Sequence, residues 1–368
     1  MRKGIGYYPQ IDAANINEVK TYLKRFFGKF SEKEILDNLK LIKDKKVLVI
    51  GDTIIDEYCF TLIKGRAIKD PILSVDYISS EQYAGGILAV ANHISHYVDN
   101  VKLITIVGEK NDNLSFIKDN LNKNISLFHF TKPNSYTTLK KRFLDKHRNQ
   151  KLFKVEYVDD YPVDKKLEAS IISFLKKELP KYDLVLVGDF GHGFISDNIS
   201  KTIEKYAKYH AINVQTNSAN LGFNFITRYV SPDFATMDLR EMQYAISDRF
   251  SEYPELIKKF MHRTGYSQFL ITMGKKGCIM VNKDKVYYAP TFKATTVDTV
   301  GAGDAVFSIV SLLQYAKVND EMLPFYTNAI GGLAVQIMGN KESVTKALLT
   351  DFIKSTYREM EAREKADR

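Results

Sequence analysis

Val47-Leu48-Val49-Ile50 is a continuous apolar run, rich in β-branched residues, that stops at Gly51-Asp52. A strand with one face in water alternates polar and apolar residues. A strand apolar on both faces belongs to a sheet covered on both sides, as in parallel α/β folds. Similar runs recur at Val101–Val107 before Gly108, Leu184–Val187 before Gly188-Asp189, Ile212–Val214, Phe269–Thr272 before Gly274, and Cys278–Val281. Amphipathic helical stretches lie between them, at Ala89–Tyr97, Asn113–Leu121, Lys165–Glu178, Asp197–His210 and Pro254–Arg263. This alternation predicts a mostly parallel sheet sandwiched between two layers of helices. Tyr58–Ile78 and Ser135–Tyr157 break the pattern with alternating polar and apolar residues, and are expected to project as a small β lid.

The N-terminal part differs. Val19, Leu23, Phe26, Phe27, Phe30, Ile35, Leu36, Leu39 and Ile42 recur at helical spacing, and Ser31 with Glu34 reads as a capping box. The chain therefore divides into a helical N-terminal extension (1–45), a main α/β domain (46–350) and a C-terminal helical tail (351–368). With 45% hydrophobic and 26% charged residues the chain is ordinary globular material, not a disordered one. Its formal net charge is +9, which suits an anionic ligand without requiring nucleic acid. Two cysteines, Cys59 and Cys278, exclude a disulfide framework and point to a reduced, cytoplasmic setting. No apolar run reaches the roughly 18 residues of a membrane span, and MRKGIGYYPQ carries no signal-peptide core.

The chemistry concentrates in Asp298-Thr299-Val300-Gly301-Ala302-Gly303-Asp304. A short β-prone run, Ala294–Val297, is expected to lead into it, and a helix, Ala305–Tyr315, to follow. Small residues between strand and helix let backbone N–H groups converge on an anion, and the helix N-terminus adds partial positive charge. Such a nest holds phosphate oxygens during transfer. Asp304, in the first helical turn, is placed to take a proton from an attacking hydroxyl. The same pattern also fits an ordinary strand–helix turn whose Asp merely complements the helix dipole.

Asp298–Asp304 closely resembles the D-T-x-G-A-G-D signature of the PfkB/ribokinase family of carbohydrate kinases. Further matches follow in family order. The segment from Val47 to Tyr58 is similar to the family's first strand, whose sugar-contacting Asp is here Asp56. Gly85-Gly86 is similar to its Gly-Gly pair against the sugar, and Thr272-Met273-Gly274-Lys275-Lys276-Gly277 to its T-x-G-x-x-G nucleotide loop. Asp238-Leu239-Arg240-Glu241 stands where the family has N-x-x-E, which organises magnesium and phosphates. Asn328 matches a late helix beside the nucleotide base. The resemblance implies a ribokinase-like three-layer sandwich that phosphorylates a sugar hydroxyl with ATP and Mg2+. In it Gly301, Ala302, Gly303 and Asp304 are catalytic, Asp56, Gly85 and Gly86 bind sugar, Thr272, Gly274, Gly277 and Asn328 bind nucleotide, and Asp238 and Glu241 serve the metal.

Within the family, Gly51–Tyr58, Asn149–Glu156 and Asp189–Gly193 are most similar to segments of heptose 7-phosphate kinases, found as a domain of bifunctional heptose kinase/nucleotidyltransferase proteins. Those enzymes serve lipopolysaccharide precursor synthesis. The sequence departs from the family at several positions, leaving its sugar end altered: Ala89 replaces an Asn, Asp238 the Asn of N-x-x-E, His192 a Lys, and Gln215-Thr216-Asn217-Ser218 a D-P-K-G run. Lys140 and Arg142, at alternate positions on the lid, are candidates for clamping a phosphate already on the sugar. The lid's edges and apolar face predict a homodimer through it. Two other readings stay open: a kinase of a different small sugar or nucleoside, and a non-catalytic scaffold or nucleic-acid-binding protein on the same fold. No P-loop run is present, and the short basic clusters are weak as a nucleic-acid surface.

Overall fold

The computed structural model describes residues 16–216, 220–283, 285–292 and 295–366. Twelve strands occur among them: β1 (Lys46–Arg66), β2 (Leu73–Gly86), β3 (Asn100–Gly108), β4 (Ile125–Lys132), β5 (Thr138–Asp145), β6 (Gln150–Tyr157), β7 (Leu184–Asp189), β8 (His210–Val214), β9 (Phe234–Asp238), β10 (Gln268–Thr272), β11 (Cys278–Asn282) and β12 (Lys285–Ala289). The helices are α1 (Ile16–Lys29), α2 (Glu32–Asn38), α3 (Ile87–Ser95), α4 (Leu114–Asp119), α5 (Lys165–Glu178), α6 (Asp197–Tyr206), α7 (Leu239–Ile246), α8 (Tyr253–Thr264), α9 (Ala302–Tyr315), α10 (Leu323–Ala334) and α11 (Lys346–Ala366). The main sheet runs β12-β11-β10-β9-β8-β7-β1-β3-β4. It is parallel from β10 to β4, with β11 and β12 added antiparallel at one edge. The chain thus has the three-layer α/β architecture that its strand pattern predicts. One apolar layer, with Val47, Val49, Ile87, Phe307, Val310 and Phe325, covers one face of the sheet. The other, with Leu48, Ile50, Ile171, Ile203, Met242 and Phe260, covers the opposite face. That division follows from β1 itself: residues 47 and 49 point one way, 48 and 50 the other.

β1 is far longer than the apolar run that announces it. Its first half, to Asp52, lies in the main sheet between β3 and β7. From Thr53 onward the same strand pairs with β2 and β5, and β5 with β6, to build a four-stranded lid in the order β2-β1-β5-β6. Cross-strand partners share a face. Asp56 faces Lys140 and Tyr58 faces Arg142, so one side of the lid carries the charged group. The opposite side pairs Leu139 with Tyr157, Lys141 with Val155 and Phe143 with Phe153, the last two rings stacked at 4.5 Å. Phe153, Val155 and Tyr157 are exposed there.

The N-terminal helices pack onto the main domain. Phe26 stacks on Phe325 at 4.4 Å, and Tyr22 lies 6.0 Å from Phe292. Ser31 caps α2 by accepting from the Glu34 amide at 3.2 Å. The first fifteen residues of the proposed extension lie outside the described residues. One local expectation is corrected. Residues 295–297 of the supposed β-prone run form no strand, and Ala294 lies outside the described residues. The Val297 and Asp298 amides instead donate to Val335 O, at the C-terminal end of α10, at 2.8 and 3.1 Å. Helix α10 supplies the acceptors that a neighbouring strand would otherwise offer. Strands β4, β9 and β12 carry no sequence signal singled out above, because their apolar runs are short or polar-interrupted.

Candidate active site

Asp304 sits in the first turn of α9, whose N-cap, Gly301, has φ +84°. A side chain at Gly301 would be strained by that angle, and its Cβ would fall 2.0 Å from Asn340 Oδ1. Gly303 differs: a Cβ there meets nothing within 4 Å. The protein does not need glycine at 303 for its own packing, so the space over the first turn is open to a ligand. Asp304 is buried, and its Oδ1 accepts a hydrogen bond from Gln215 Nε2 at 2.7 Å. Burial first, and then the Asp56 charge, push its pKa up to about 7, against the Gln215 bond and the Lys140 charge. A carboxyl with that value near neutral pH is matched to general-base work.

Asp56 comes from the lid half of β1. A Cβ on Gly85 would lie 2.3 Å from Asp56 Oδ2, so the carboxylate rests directly against the Gly85 backbone, and Gly86, with φ +53°, starts α3 beside it. The sequence pairing of Asp56 with Gly85-Gly86 is thus a contact in space. Arg142 donates to Asp56 Oδ1 and lies over the Tyr58 ring at 5.7 Å. Lys140 is buried but makes no ion pair or hydrogen bond with the described residues. Burial lowers its pKa, against the pull of Asp56 and Glu156. The two basic residues therefore differ: among the described residues the Arg142 guanidinium is engaged by Asp56, and the Lys140 ammonium is free.

A polar pocket near the start of the lid is lined by Thr53, Gly108, Thr137, Thr138 and His192. Lys132 also borders it, but its ammonium is taken by Asp159 O, Tyr161 O and the Asp159 carboxylate. His192 is buried with neither ring nitrogen hydrogen-bonded among the described residues. Burial, then the charges of Lys140, Lys132 and Lys154, hold its pKa at about 3, so the imidazole is neutral. The loop that carries it is fastened by Asp52, which accepts from the amides of Phe190, His192 and Phe194 at 3.0–3.4 Å. Ala89 is buried in α3.

At the other end, β10 closes at Thr272 and the chain turns through Gly274, with φ +55° and nothing within 4 Å of the place a Cβ would take. Gly277 is held structurally: its Cβ would lie 2.0 Å from Ala289 O. Asn328 Nδ2 donates to Pro324 O and Ala289 O at 3.2 and 3.4 Å, tying α10 to the end of β12. Asp238 and Glu241 form a capping box at the start of α7, and Asp238 Oδ1 accepts from the Arg240 amide at 2.8 Å. Glu241 Oε2 accepts from the Asp238 amide at 2.8 Å and Oε1 from the Thr216 amide at 3.1 Å, and burial pushes its pKa up to about 7. Two carboxylates one helical turn apart are hard oxygen donors, the kind that magnesium takes.

Three residues that sequence reasoning did not single out for a role join the site. Gln215 holds Asp304; its place directly after the buried run Ile212–Val214 was the available signal. Asp298 and Lys151 meet across the lid boundary at 2.5 Å, which sequence spacing alone does not reveal.

Comparison with known proteins shows the family and the fold. The family model described as pfkB family carbohydrate kinase matches residues 44–346. The chain is 25% identical over 308 residues to the bifunctional protein HldE of Histophilus somni (strain 129Pt), covering 82% of this chain and 62% of that protein. It is 23% identical over 315 residues to the bifunctional protein HldE of Koribacter versatilis (strain Ellin345), covering 83% and 63%. The chain thus spans less than two thirds of the length of these curated relatives. Its fold is shared with the ribokinase of Arabidopsis thaliana complexed with ribose and ATP (TM-score 0.65, 17% identity, 84% of this chain and 99% of that one). It is shared too with phosphofructokinase-2 of Escherichia coli in complex with fructose-6-phosphate (TM-score 0.63, 12% identity, 86% and 99%).

Proposed function

The chain belongs to the pfkB family of carbohydrate kinases, and on that premise we propose that it transfers the γ-phosphoryl group of ATP to a hydroxyl of a heptose 7-phosphate, or a related phosphorylated sugar, in surface-polysaccharide precursor synthesis. The observation that carries the reaction is Asp304: a buried carboxyl near neutral pKa, behind the open space at Gly303 and the first turn of α9. Asp304 takes the proton of the acceptor hydroxyl as its oxygen attacks the γ-phosphorus. The bond to the β,γ-bridging oxygen breaks, and ADP leaves. Backbone N–H groups at the start of α9 receive the charge that develops on the transferring oxygens. Gln215 orients the carboxyl.

Nucleotide fits between the Thr272–Gly277 turn and α10, where Gly274 leaves room. Magnesium, when bound with ATP, neutralises phosphate charge, and half-buried Asp238, with Glu241 behind it, are the residues that would hold it.

Support for a phosphorylated acceptor is the free, buried Lys140 ammonium facing Asp56 and the His192 pocket. Support for a heptose is the likeness of Asn149–Glu156 and Asp189–Gly193 to the heptose kinases, together with the likeness to HldE proteins. A different acceptor sugar is favoured by Ala89, which stands where the family carries Asn, and by neutral His192, which stands where the heptose kinases carry Lys. We further propose a homodimer formed through the outer lid face, supported by exposed Phe153, Val155 and Tyr157. The decisive experiment is magnesium-dependent ADP release with a panel of sugars, including D-glycero-D-manno-heptose 7-phosphate, its unphosphorylated form, ribose and fructose 6-phosphate. Turnover on the heptose phosphate at least tenfold above all others supports the reading. Faster turnover on an unphosphorylated sugar overturns it.

A further inference from the structure

We propose that Lys151 is a positioning residue that sets the Gly301–Gly303 nest from the lid, acting through Asp298. Asp298 is the point where four separate parts of the molecule meet. Its Oδ1 accepts from Lys151 Nζ of β6 at 2.5 Å and from the Val300 amide, inside the nest loop, at 3.1 Å. Its Oδ2 accepts from Tyr58 Oη of β1 and from the Gly339 amide, beyond α10, at 3.0 Å. The turn that supplies Gly339 also presents Asn340 against Gly301. Lys151 and the nest amide thus share one oxygen, and the lid and the 339–340 turn flank the loop from two sides.

The lid side of this junction is itself linked to the acceptor end. The Tyr58 ring lies 5.7 Å from both the Lys151 ammonium and the Arg142 guanidinium, and Arg142 holds Asp56. Asp56–Arg142–Tyr58–Lys151–Asp298 is therefore one run of contacts from the sugar-end carboxylate to the phosphate nest. Asp298 is almost fully buried, whereas the Lys151 side chain is 38% exposed. Burial pushes the Asp298 pKa up, but the bonds from Lys151, Tyr58 and the Val300 amide outweigh it and hold the carboxyl below its ordinary value. Without Lys151 the carboxylate keeps three hydrogen-bond donors, so it is not left bare. What is lost is the tether between β6 and the nest. A purely structural ion pair would register in stability; a positioning residue registers in the nest and in turnover.

The test compares the full-length wild type with Lys151→Met, which keeps chain length, and Lys151→Arg, which keeps the charge. Hydrogen–deuterium exchange over 298–304 needs no acceptor sugar. It should quicken at least fivefold in Lys151→Met and return to the wild-type rate in Lys151→Arg. The melting temperature should stay within about 4 °C, the scale of a partly exposed pair. On the best acceptor of the sugar panel, kcat should fall about tenfold while KM for ATP stays within about twofold, a split expected of an interaction made in the transition state. Unchanged exchange over 298–304 in Lys151→Met overturns the proposal. So does faster exchange with kcat within twofold of wild type, because the nest would then not depend on Lys151 for turnover.

Discussion

Asp304→Asn should separate catalysis from stability, because the same burial that tunes the carboxyl also strains the fold. In the folded protein the Asp304 pKa is raised from 3.8 to about 7. The native state therefore holds a proton that the unfolded chain has released between about pH 4 and 7, and stability falls as pH rises through that window. At about 1.4 kcal/mol per pH unit, the rise amounts to roughly 4 kcal/mol as an upper bound once the pH exceeds 7. Asparagine has the same shape and stays neutral, and its carbonyl still accepts from Gln215 Nε2. At pH 8 the variant should be more stable than wild type by up to that amount, and at pH 4.5, where folded Asp304 is protonated, the gap should shrink to about 1 kcal/mol. Asp52 and Glu241, also raised to about 7, titrate in both proteins and largely cancel. Turnover should fall by about 10²–10⁴, the usual size of a general-base contribution, with ATP affinity nearly unchanged. Urea unfolding at the two pH values and single-turnover kinetics supply the readings. A variant less stable than wild type at pH 8 would refute the buried, uncompensated carboxyl, and turnover within threefold of wild type would refute the base.

Gly303→Val fills open space over the nest, where a Cβ meets no protein atoms, so calorimetry should show ATP affinity falling at least tenfold while the melting temperature holds within about 3 °C. Lys140→Ala should raise KM for a phosphorylated acceptor about tenfold, the scale of a lost charge-assisted bond, and leave KM for ATP alone; equal KM values in both proteins would remove Lys140 from the acceptor site. Arg142→Ala, which also frees Asp56, should weaken every acceptor in the panel, phosphorylated or not. Phe153→Asp on the outer lid face should turn a dimer into a monomer by light scattering, and a wild type already monomeric at micromolar concentration would exclude association there.

The parts of the fold legible in the sequence were those decided by local chemistry. Runs apolar on both faces located the central strands, and α5 follows its sequence pattern from Lys165 to Glu178. The motif from Asp298 to Asp304 pointed to a phosphate nest chiefly through its likeness to a family signature, since small residues before a first-turn Asp also suit an ordinary strand–helix turn. What escaped was non-local. Nothing near Lys151 says that its ammonium reaches a residue 147 positions later. The buried strand Phe234–Asp238 is only five residues long and hides behind Pro232-Asp233. The run before Asp298 looks β-prone, yet its amides go to the end of a helix, a choice only the tertiary structure makes. The basic lid was visible as charge, but not which cation is spent: Asp56 stands opposite Lys140 in the register and yet pairs with Arg142, two positions on.

Because β1 passes unbroken from the main sheet into the lid, the two carboxylates of the site ride on different bodies joined by one backbone. Asp56 travels with the lid, and Asp304 stays with the helix layer. At Asp52 and Thr53 the strand exchanges its partners, β3 and β7 on one side, β2 and β5 on the other, without a loop in between. Such a junction has no free hinge: the lid can rock only as far as a hydrogen-bonded ribbon will twist. The gap between Asp56 and Asp304 is then gauged by the curvature of a single strand, which would make the grip on the proposed acceptor a property of the sheet's own stiffness.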